Sequence, residues 1–313
     1  MEMDQHPPTP TRRNFLKGVG VGLIGLAACR PPLSKLAKTG PAFGISLAQW
    51  SLHKELFAGQ LNHLDFAATA RRFDLDAIEY VSVFFKDKVG DPKYLAEMKT
   101  RAEGEGVKSL LIMCDGYGLL GDPQEKARQK SVENHFPLLE AAAFLGCHSI
   151  RVNAGSRGSY EEQQKLAADG LTKLSEAGGN FGLNVIVENH GGLSSNGAWL
   201  AGVINRVGRE NCGTLPDFGN FRLKGNEWYD RYQGITELMP YAKAVSAKSH
   251  AFDEQGLETK TDYFRMMEIV LAAGYSGYVG IEYEGTVHSE RDGIRLTKDL
   301  LERCAAKQVL LAN

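Results

Sequence analysis

The chain has 313 residues, of which 43% are hydrophobic and 24% are charged, and its formal net charge is −2 at pH 7. Basic residues are therefore not in excess over acidic ones, which argues against a nucleic-acid partner. Once an N-terminal segment is set aside, about 270 residues remain, enough for one large domain or two small ones.

The N-terminal segment has the features of an export signal. Residues 11–17 read TRRNFLK, and residues 18–28 read GVGVGLIGLAA, a weakly apolar and glycine-rich run. Paired arginines before a short apolar run are typical of secretion signals, and Arg12 and Arg13 resemble the twin-arginine type. The run is roughly ten residues long, too short to span a bilayer. We therefore expect residues 1–29 to direct export to the periplasm or the bacterial envelope.

The cysteines suggest one lipid anchor and four core positions. The sequence Leu26-Ala27-Ala28-Cys29 resembles a bacterial lipobox, which would make Cys29 a lipidated first residue and the predicted membrane contact. Residues 30–42 are predicted to be a tether. An exported chain could join its other cysteines as disulfides, but their wide scatter favours separate core positions. These cysteines are Cys114, Cys147, Cys212 and Cys304.

After residue 42, short apolar runs alternate with amphipathic stretches. Eight runs are candidate strands: residues 43–50, 75–81, 107–115, 148–155, 183–190, 212–219, 242–250 and 278–285. Strands that alternate with helices predict parallel pairing. Eight such units over about 250 residues predict a closed (β/α)₈ TIM barrel, a single domain over residues 43–313. A doubly wound open sheet is the alternative, but SLHKELFAGQ after the first strand is not a glycine-rich phosphate loop.

In such barrels the reactive residues lie where the strands end, at the carboxyl-terminal face. The fifth run, LNVIVENH, ends in Glu188, Asn189 and His190, although a buried strand has no structural need of such an ending. The sixth, seventh and eighth runs bring Asp217, His250 and Glu282 to the same rim. Other polar residues at strand ends are Trp50, Glu79, Asn153, Asn220, Lys248 and Glu284.

The four ionisable residues on consecutive strands predict a metal site. Close carboxylates repel one another and take up protons unless a cation balances them. Carboxylates with one imidazole suit Mn²⁺, Mg²⁺, Co²⁺ or Zn²⁺. We therefore expect one divalent metal, bound by Glu188, Asp217, His250 and Glu282.

Several strand-end motifs together resemble a known family. VIVENHGG, GTLPDFGNF, AVSAKSH and YVGIEYEG are similar to motifs of the sugar phosphate isomerase/epimerase superfamily, the xylose isomerase-like TIM barrels, and ISLAQWSL at the first strand also fits. The resemblance spans about residues 43–305. It implies that Glu188, Asp217 and Glu282 hold one divalent metal.

The seventh strand departs from the family pattern. The family often has His-x-Lys there, with the histidine as metal ligand, and those positions are Ser246 and Lys248 in this chain. His250 lies two residues further on, so strand alternation would place it on the same face. It could supply the imidazole from nearer the rim, or it could contact substrate and leave three ligands.

The resemblance implies proton transfer next to the carbonyl of a sugar through an enediolate. Glu188 and Glu282 would act as general base and acid on opposite sides of the sugar, and Lys248 would stabilise an oxyanion. His190, Asn220 and Asn153 would contact sugar hydroxyls, and Trp50 would pack against a sugar face. Glu79 and Glu284 are secondary candidates.

Three functions remain open at this point. The first is a metal-dependent isomerase or epimerase of a small sugar or keto-sugar. The second is a β-eliminating lyase for 3-keto-glycosides that uses the same site. The third is a noncatalytic sugar-binding lipoprotein, which Ser246 favours. Export argues against sugar phosphates, and the sequence contains no evident arginine cluster for phosphate. A phosphodiesterase or AP-endonuclease-like barrel would need more metal ligands than the sequence offers. A purely structural role is the last of the alternatives. The sequence also allows the protein to form an oligomer.

Overall fold

A computed structural model describes residues 42–312, with side chains as far as residue 307. The predicted export signal and Cys29, and the predicted tether apart from residue 42, lie outside the described residues. No helix within residues 42–312 has both the length and the apolar character needed to cross a membrane.

Eight parallel strands form the barrel, and each lies within a segment that the sequence predicted. In chain order they are β1 Gly44–Ala48, β2 Ala77–Val81, β3 Lys108–Met113, β4 Ser149–Val152, β5 Asn184–Glu188, β6 Cys212–Leu215, β7 Val245–Ser249 and β8 Tyr278–Tyr283. Each of β1 to β5 pairs with the next strand, β8 pairs with β7, and β1 pairs with β8. Pairing of the first and last strands is incompatible with the open doubly wound alternative, so the predicted TIM barrel is confirmed.

The barrel closes between β6 and β7 through a short seam rather than a continuous ladder. The seam consists of two parallel bridges, Thr214 with Ala242 and Asp217 with Ser246. Its hydrogen bonds include those from the Ser246 amide to the Pro216 carbonyl (2.9 Å) and from the Phe218 amide to the Ser246 carbonyl (3.0 Å). The seam therefore contains Asp217, one of the predicted metal ligands, and Ser246, which stands where the family often has a histidine.

Within residues 42–312, ten α-helices accompany the strands. They are α1 His53–Phe57, α2 Phe66–Arg71, α3 Pro92–Gly104, α4 Glu125–Asn134, α5 Phe136–Leu145, α6 Tyr160–Gly179, α7 Gly197–Val207, α8 Arg231–Leu238, α9 Tyr263–Ala272 and α10 Glu290–Ala312. Local sequence sets their ends: Ser159 and Glu162 form a capping box at α6, and Gly146 ends α5 with φ 80°, which glycine adopts without steric cost.

Two sets of apolar side chains make up the core. The larger one lies between strands and helices, and α6 contributes Leu171 and Leu174 to it. A smaller cluster includes Leu111, Met113 and Ile186 from the opposite strand faces. Because side chains alternate along a strand, Ile186 points to the same side as Glu188, into the barrel. The apolar interior therefore ends in a polar layer where the strands end.

All four cysteines in the described part of the chain are buried and free. They lie at separate places in the core, as the sequence predicted for Cys114, Cys147, Cys212 and Cys304.

Candidate active site

Three buried carboxylates meet at the carboxyl ends of the strands. Glu188 is the last residue of β5, Asp217 follows β6 by two residues, and Glu282 is the fifth residue of β8. Each offers an oxygen within 4.8 Å of the other two. Their exposed fractions are 1%, 0% and 4%. Three of the four residues that the sequence proposed as metal ligands therefore form one cluster.

Asp217 is held by the loop that follows β6. Its Oδ1 accepts the backbone N–H groups of Gly219 (2.8 Å) and Asn220 (2.7 Å). The Asn189 amide donates to the Asp217 carbonyl (3.0 Å) and its oxygen accepts the Asp217 N–H (2.7 Å). Asn189 therefore fixes the backbone that carries Asp217, a positioning role that the sequence alone did not reveal.

Glu188 lies between an amide and a guanidinium. Its Oε1 accepts a hydrogen bond from Asn220 Nδ2 at 2.8 Å. Its Oε2 forms an ion pair with Arg151 Nε at 2.9 Å, but this buried oxygen accepts no hydrogen bond from the described residues. Glu188 Oε2 is therefore held by charge alone and keeps lone pairs with which it can bind a cation.

Ser246 occupies the fourth corner of the cluster. Its Oγ lies 2.7 Å from Asp217 Oδ2 and 2.9 Å from Glu282 Oε2. A hydroxyl has one proton and can donate to only one of these oxygens. The other contact therefore requires a proton on that carboxylate or a cation bound nearby.

Lys248 places a buried ammonium against the cluster. Its Nζ lies 3.1 Å from Glu282 Oε1 and 3.2 Å from Glu284 Oε2, and it donates to Asn220 Oδ1 at 3.3 Å. Burial opposes the charge, but the surrounding carboxylates, Glu282 first, raise the pKa of Lys248 well above its ordinary value. Lys248 is therefore a buried cation in direct contact with the carboxylate cluster.

Arg151 is a charged residue of the site that the sequence analysis missed. It lies in β4 with a 4% exposed fraction, and its Nη1 binds Asp115 Oδ1 at 2.7 Å. The predicted substrate contact Asn153 donates to the same oxygen at 2.7 Å. The sequence did point to this residue, because an arginine in the middle of the apolar strand HSIRVN is buried and needs a partner for its charge.

Glu79 lies deeper, on the inward face of β2. Its Oε1 accepts a hydrogen bond from Ser46 at 2.6 Å, and its Oε2 is buried without a partner among the described residues. A Cβ at Gly280 would come within 2.5 Å of this carboxylate, so the glycine leaves the room that it occupies. Burial raises the pKa of Glu79 to about 7.

The buried charges do not balance by themselves. Four fully buried carboxylates face two buried cations, Arg151 and Lys248, which leaves at least two excess negative charges if every group is ionised, before the partly exposed Asp115 and Glu284 are counted. The four are Glu79, Glu188, Asp217 and Glu282. Burial accordingly raises the pKa values of Glu188 and Asp217 to about 7. Two protons, or one divalent cation, would neutralise the site.

His250 is not part of the carboxylate cluster. The prediction extended strand alternation to this residue, but β7 ends at Ser249. Beyond that point the backbone turns, and alternation no longer fixes the direction of the side chain. His250 instead lines a neighbouring cavity of about 310 Å³ together with His190 and Asn220.

A second cavity, of about 270 Å³, opens directly onto the cluster. It is lined by Trp50, Asp115, Arg151, His190, Glu282 and Glu284, among others. The Trp50 indole N–H donates to Glu284, and its ring stacks on His53 with centroids 4.9 Å apart. The predicted sugar-stacking residue is thus held at the cavity wall, and His190 belongs to both cavities.

The donor set fits a hard divalent cation. Three carboxylates and one hydroxyl are oxygen donors, the excess charge is −2, and Glu188 Oε2 has no hydrogen-bond partner. Oxygen ligands suit Mg²⁺ and Mn²⁺, whereas an imidazole would favour Zn²⁺ or Co²⁺. The buried acidic triad can therefore hold a divalent metal.

Fold and site together define a (β/α)₈ barrel with an acidic centre at the carboxyl ends of its strands. Residues 67–304 match the family of xylose isomerase-like TIM barrels. The chain belongs to this family, as the strand-end motifs indicated. No curated protein matches its sequence.

Solved structures share the fold at low sequence identity. The 3-keto-D-glucoside 4-epimerase from E. coli has a TM-score of 0.64 and 17% identity over 85% of this chain and 100% of its own. A xylose isomerase-like barrel protein from Mycobacterium smegmatis in complex with magnesium has a TM-score of 0.63 and 15% identity over 85% and 99%. D-psicose 3-epimerase with D-tagatose, from Clostridium cellulolyticum H10, has a TM-score of 0.64 and 11% identity over 84% and 98%.

Proposed function

We propose that the protein is a metal-dependent sugar isomerase or epimerase that transfers a proton next to a carbonyl through an enediolate. The observation that carries the proposal is the cluster of Glu188, Asp217 and Glu282, buried to at least 96% beside an open cavity. Structures with this fold include epimerases of a 3-keto-glucoside and of D-psicose, which agrees with this chemistry. We further propose that the chain is exported as residues 1–29 predict.

The two glutamates would divide the proton transfer. Burial raises the pKa of Glu188 to about 7, close to the value that suits a general base at neutral pH. Glu282 lies across the cluster, 3.1 Å from the Lys248 ammonium, and would return the proton. Return to the opposite face of the same carbon gives an epimer, and return to the neighbouring carbon gives an isomer.

Other side chains would hold the substrate. Lys248 would donate to the oxygen that gains negative charge, and Asn220 and His190 would bind hydroxyls. Trp50 would cover one sugar face. Glu188, Asp217 and Glu282 would hold the metal, which when bound would act as a Lewis acid that stabilises that negative charge.

A β-eliminating lyase on 3-keto-glycosides is the second candidate, because the same proton abstraction would expel a leaving group β to the carbonyl. Ser246 in place of a histidine favours the third candidate, a noncatalytic sugar-binding protein. The presence of both Glu188 and Glu282, buried at the carboxyl ends of their strands, argues against it.

The test combines metal content with hydrogen exchange. Protein purified without added metal would be analysed by inductively coupled plasma mass spectrometry, beside Glu188→Gln and the exposed control Glu227→Gln. We expect about one divalent metal per chain, lost only in Glu188→Gln. Incubation of ketoses and 3-keto-glycosides in D₂O would then report deuterium incorporation next to the carbonyl, and aglycone release would identify the lyase.

The expected loss of exchange in Glu188→Gln is about 10²–10⁴-fold, the usual contribution of a general base. No metal after soaking with Mn²⁺, together with no exchange and no aglycone release, would reject both enzymes. Sugar binding without exchange would then favour the noncatalytic protein.

A further inference from the structure

The cavity of about 310 Å³ beside the carboxylate cluster has a strongly basic lining. Arg222 comes from a hairpin of Arg222–Lys224 and Glu227–Trp228, Arg231 from the start of α8, and Lys260 from the loop after β7. His190 and His250 complete this ring, and within the described residues no carboxylate lines the cavity. Three separate segments thus bring cations to one concave space. We call these five residues the basic ring.

The three permanent cations of the basic ring lack anionic partners. Among the described residues, none of Arg222, Arg231 and Lys260 lies within 4.0 Å of a carboxylate oxygen. Cations that converge without a counter-charge repel one another, and a bound anion would relieve that repulsion.

The nearby acids are already engaged with the backbone. Asp230 caps α8 by accepting the Gln233 N–H at 2.8 Å. Glu258, which is 6% exposed, accepts the N–H groups of His250 (3.2 Å) and Lys260 (2.7 Å). Both carboxylates therefore shape the loops that present the basic ring and form no ion pair with it.

Arg231 occupies an electrostatically unfavourable position. It is the first residue of α8, where the helix dipole favours negative rather than positive charge. Its side chain is half-buried and is held by a hydrogen bond to the Thr261 hydroxyl. A cation fixed at a helix start is stabilised when an anion binds beside it.

We propose that the basic ring binds an oxyanion substituent of the sugar, so that the substrate is an anionic sugar rather than a neutral one. This inference rests on the proposed function, because the carboxylate cluster supplies the reacting end. His190 lines both cavities, and Asn220 lines the basic one while donating to Glu188. A sugar could therefore place its carbonyl at the cluster and its oxyanion at the ring.

The oxyanion could be the carboxylate of a sugar acid or the phosphate of a sugar phosphate. Three hexoses separate these sources, since D-glucose, D-glucuronate and D-glucose 6-phosphate differ only at carbon 6. Their dissociation constants would be measured by calorimetry with the full chain, and with Arg222→Gln, Arg231→Gln and Lys260→Gln. The control is Lys126→Gln, which removes an exposed charge from α4, a helix that does not line the cavity.

We expect one of the two anions to bind at least about 10-fold more tightly than D-glucose, the effect of one charged hydrogen bond. Each ring variant should reduce this preference about 10-fold with D-glucose binding unchanged, and Lys126→Gln should preserve it. The tighter anion identifies the source. Thermal melting of each variant would show that it is folded.

Equal affinities, or no binding by either anion, would overturn the inference, as would an equal loss in Lys126→Gln. Glu188→Gln separates this inference from the proposed function. If that variant still prefers the anion but the wild type exchanges no deuterium, the proposed enzymatic function is rejected and the anion site at the basic ring stands. If the wild type exchanges deuterium into neutral keto-sugars but shows no preference for anions, the proposed enzymatic function stands and the anion site is rejected.

Discussion

Ser246 is the residue that most sets this site apart from the family pattern. Its hydroxyl touches both Asp217 and Glu282, at the position where the family often has a histidine ligand. The site therefore offers only oxygen donors, and its metal preference should follow the chemistry of this one atom.

Ser246→Cys should increase the affinity for Zn²⁺ at least about 10-fold, because a thiolate is a softer ligand than a hydroxyl and is preferred by Zn²⁺. Competition with a fluorescent zinc chelator would measure it. Ser246→Ala is the control, since it removes the hydroxyl without adding a thiolate. No gain in the cysteine variant would mean that this side chain does not reach the bound metal.

Glu79 should make the protein less stable as the pH rises. Its pKa is raised from 4.5 to about 7 by burial, so between these values the folded state keeps a proton that the unfolded state has lost. The free energy of unfolding therefore falls from pH 4.5 to 7. Glu79→Gln removes this titration, and the difference in unfolding free energy between pH 5 and pH 8 should shrink by about 2–3 kcal/mol.

Urea denaturation at several pH values, with a chelator present, would test this prediction. The exposed Glu103→Gln serves as the control and should retain the wild-type pH dependence. An unchanged pH dependence in Glu79→Gln would show that this carboxyl is not the group that responds.

At the residue scale, the sequence could identify those site residues that lie at strand ends. Glu188, Asp217 and Glu282 were predicted because the carboxyl ends of barrel strands share one rim. Arg151 was missed because it lies inside a strand, where charge is unexpected. Its burial is explained by its ion pairs with Glu188 and Asp115, which lie far from it in the sequence.

The loop after β7 depends on one buried carboxylate. Glu258 accepts N–H groups from His250, Ala251, Lys260 and Thr261 at 2.5–3.4 Å. It thereby joins the two ends of the loop that carries two members of the basic ring.

Glu258→Ala would leave these four N–H groups without an acceptor, so residues 250–261 should exchange amide hydrogen about 10-fold faster or more, the effect of losing one charged hydrogen bond. Hydrogen exchange with mass spectrometry would measure this effect. Glu254→Ala, an exposed change in the same loop, should leave the exchange rate unaltered. If both variants behave like the wild type, Glu258 does not order the loop.

At the element scale, periodicity predicted the strands but not their last residues. All eight strands lie within the predicted segments, yet β7 stops at Ser249, and this one-residue difference removed His250 from the carboxylate cluster. The basic ring was not foreseen either. Arg222 lies in a hairpin, Arg231 at the start of α8 and Lys260 in a loop, and only the folded chain brings them to one cavity.

The whole barrel should be stable without disulfides. Burial raises the pKa of Cys212 to about 11 and that of Cys304 to about 12, and Cys114 and Cys147 are buried as well. Thiols in this state react slowly. Native protein should therefore resist iodoacetamide at all four positions, and urea should expose them. Peptide mass spectrometry would measure the labelling.

Reducing agent should shift the melting temperature by less than about 1 °C, because no disulfide joins the four cysteines of residues 42–312. Labelling of the same four cysteines in urea is the internal control, because unfolding exposes every thiol. Rapid native labelling of any core cysteine would contradict the burial that the structure gives it.

The seam between β6 and β7 links ligand binding to the integrity of the barrel. Asp217 and Ser246 form one of its two bridges, and their side chains also face the carboxylate cluster. A ligand bound there would connect β6 and β7, the neighbouring strands that are joined only by isolated bridges and not by a continuous ladder. A bound ligand should therefore suppress local opening of the barrel, and its largest slowing of amide exchange should be at Ser246 and Phe218.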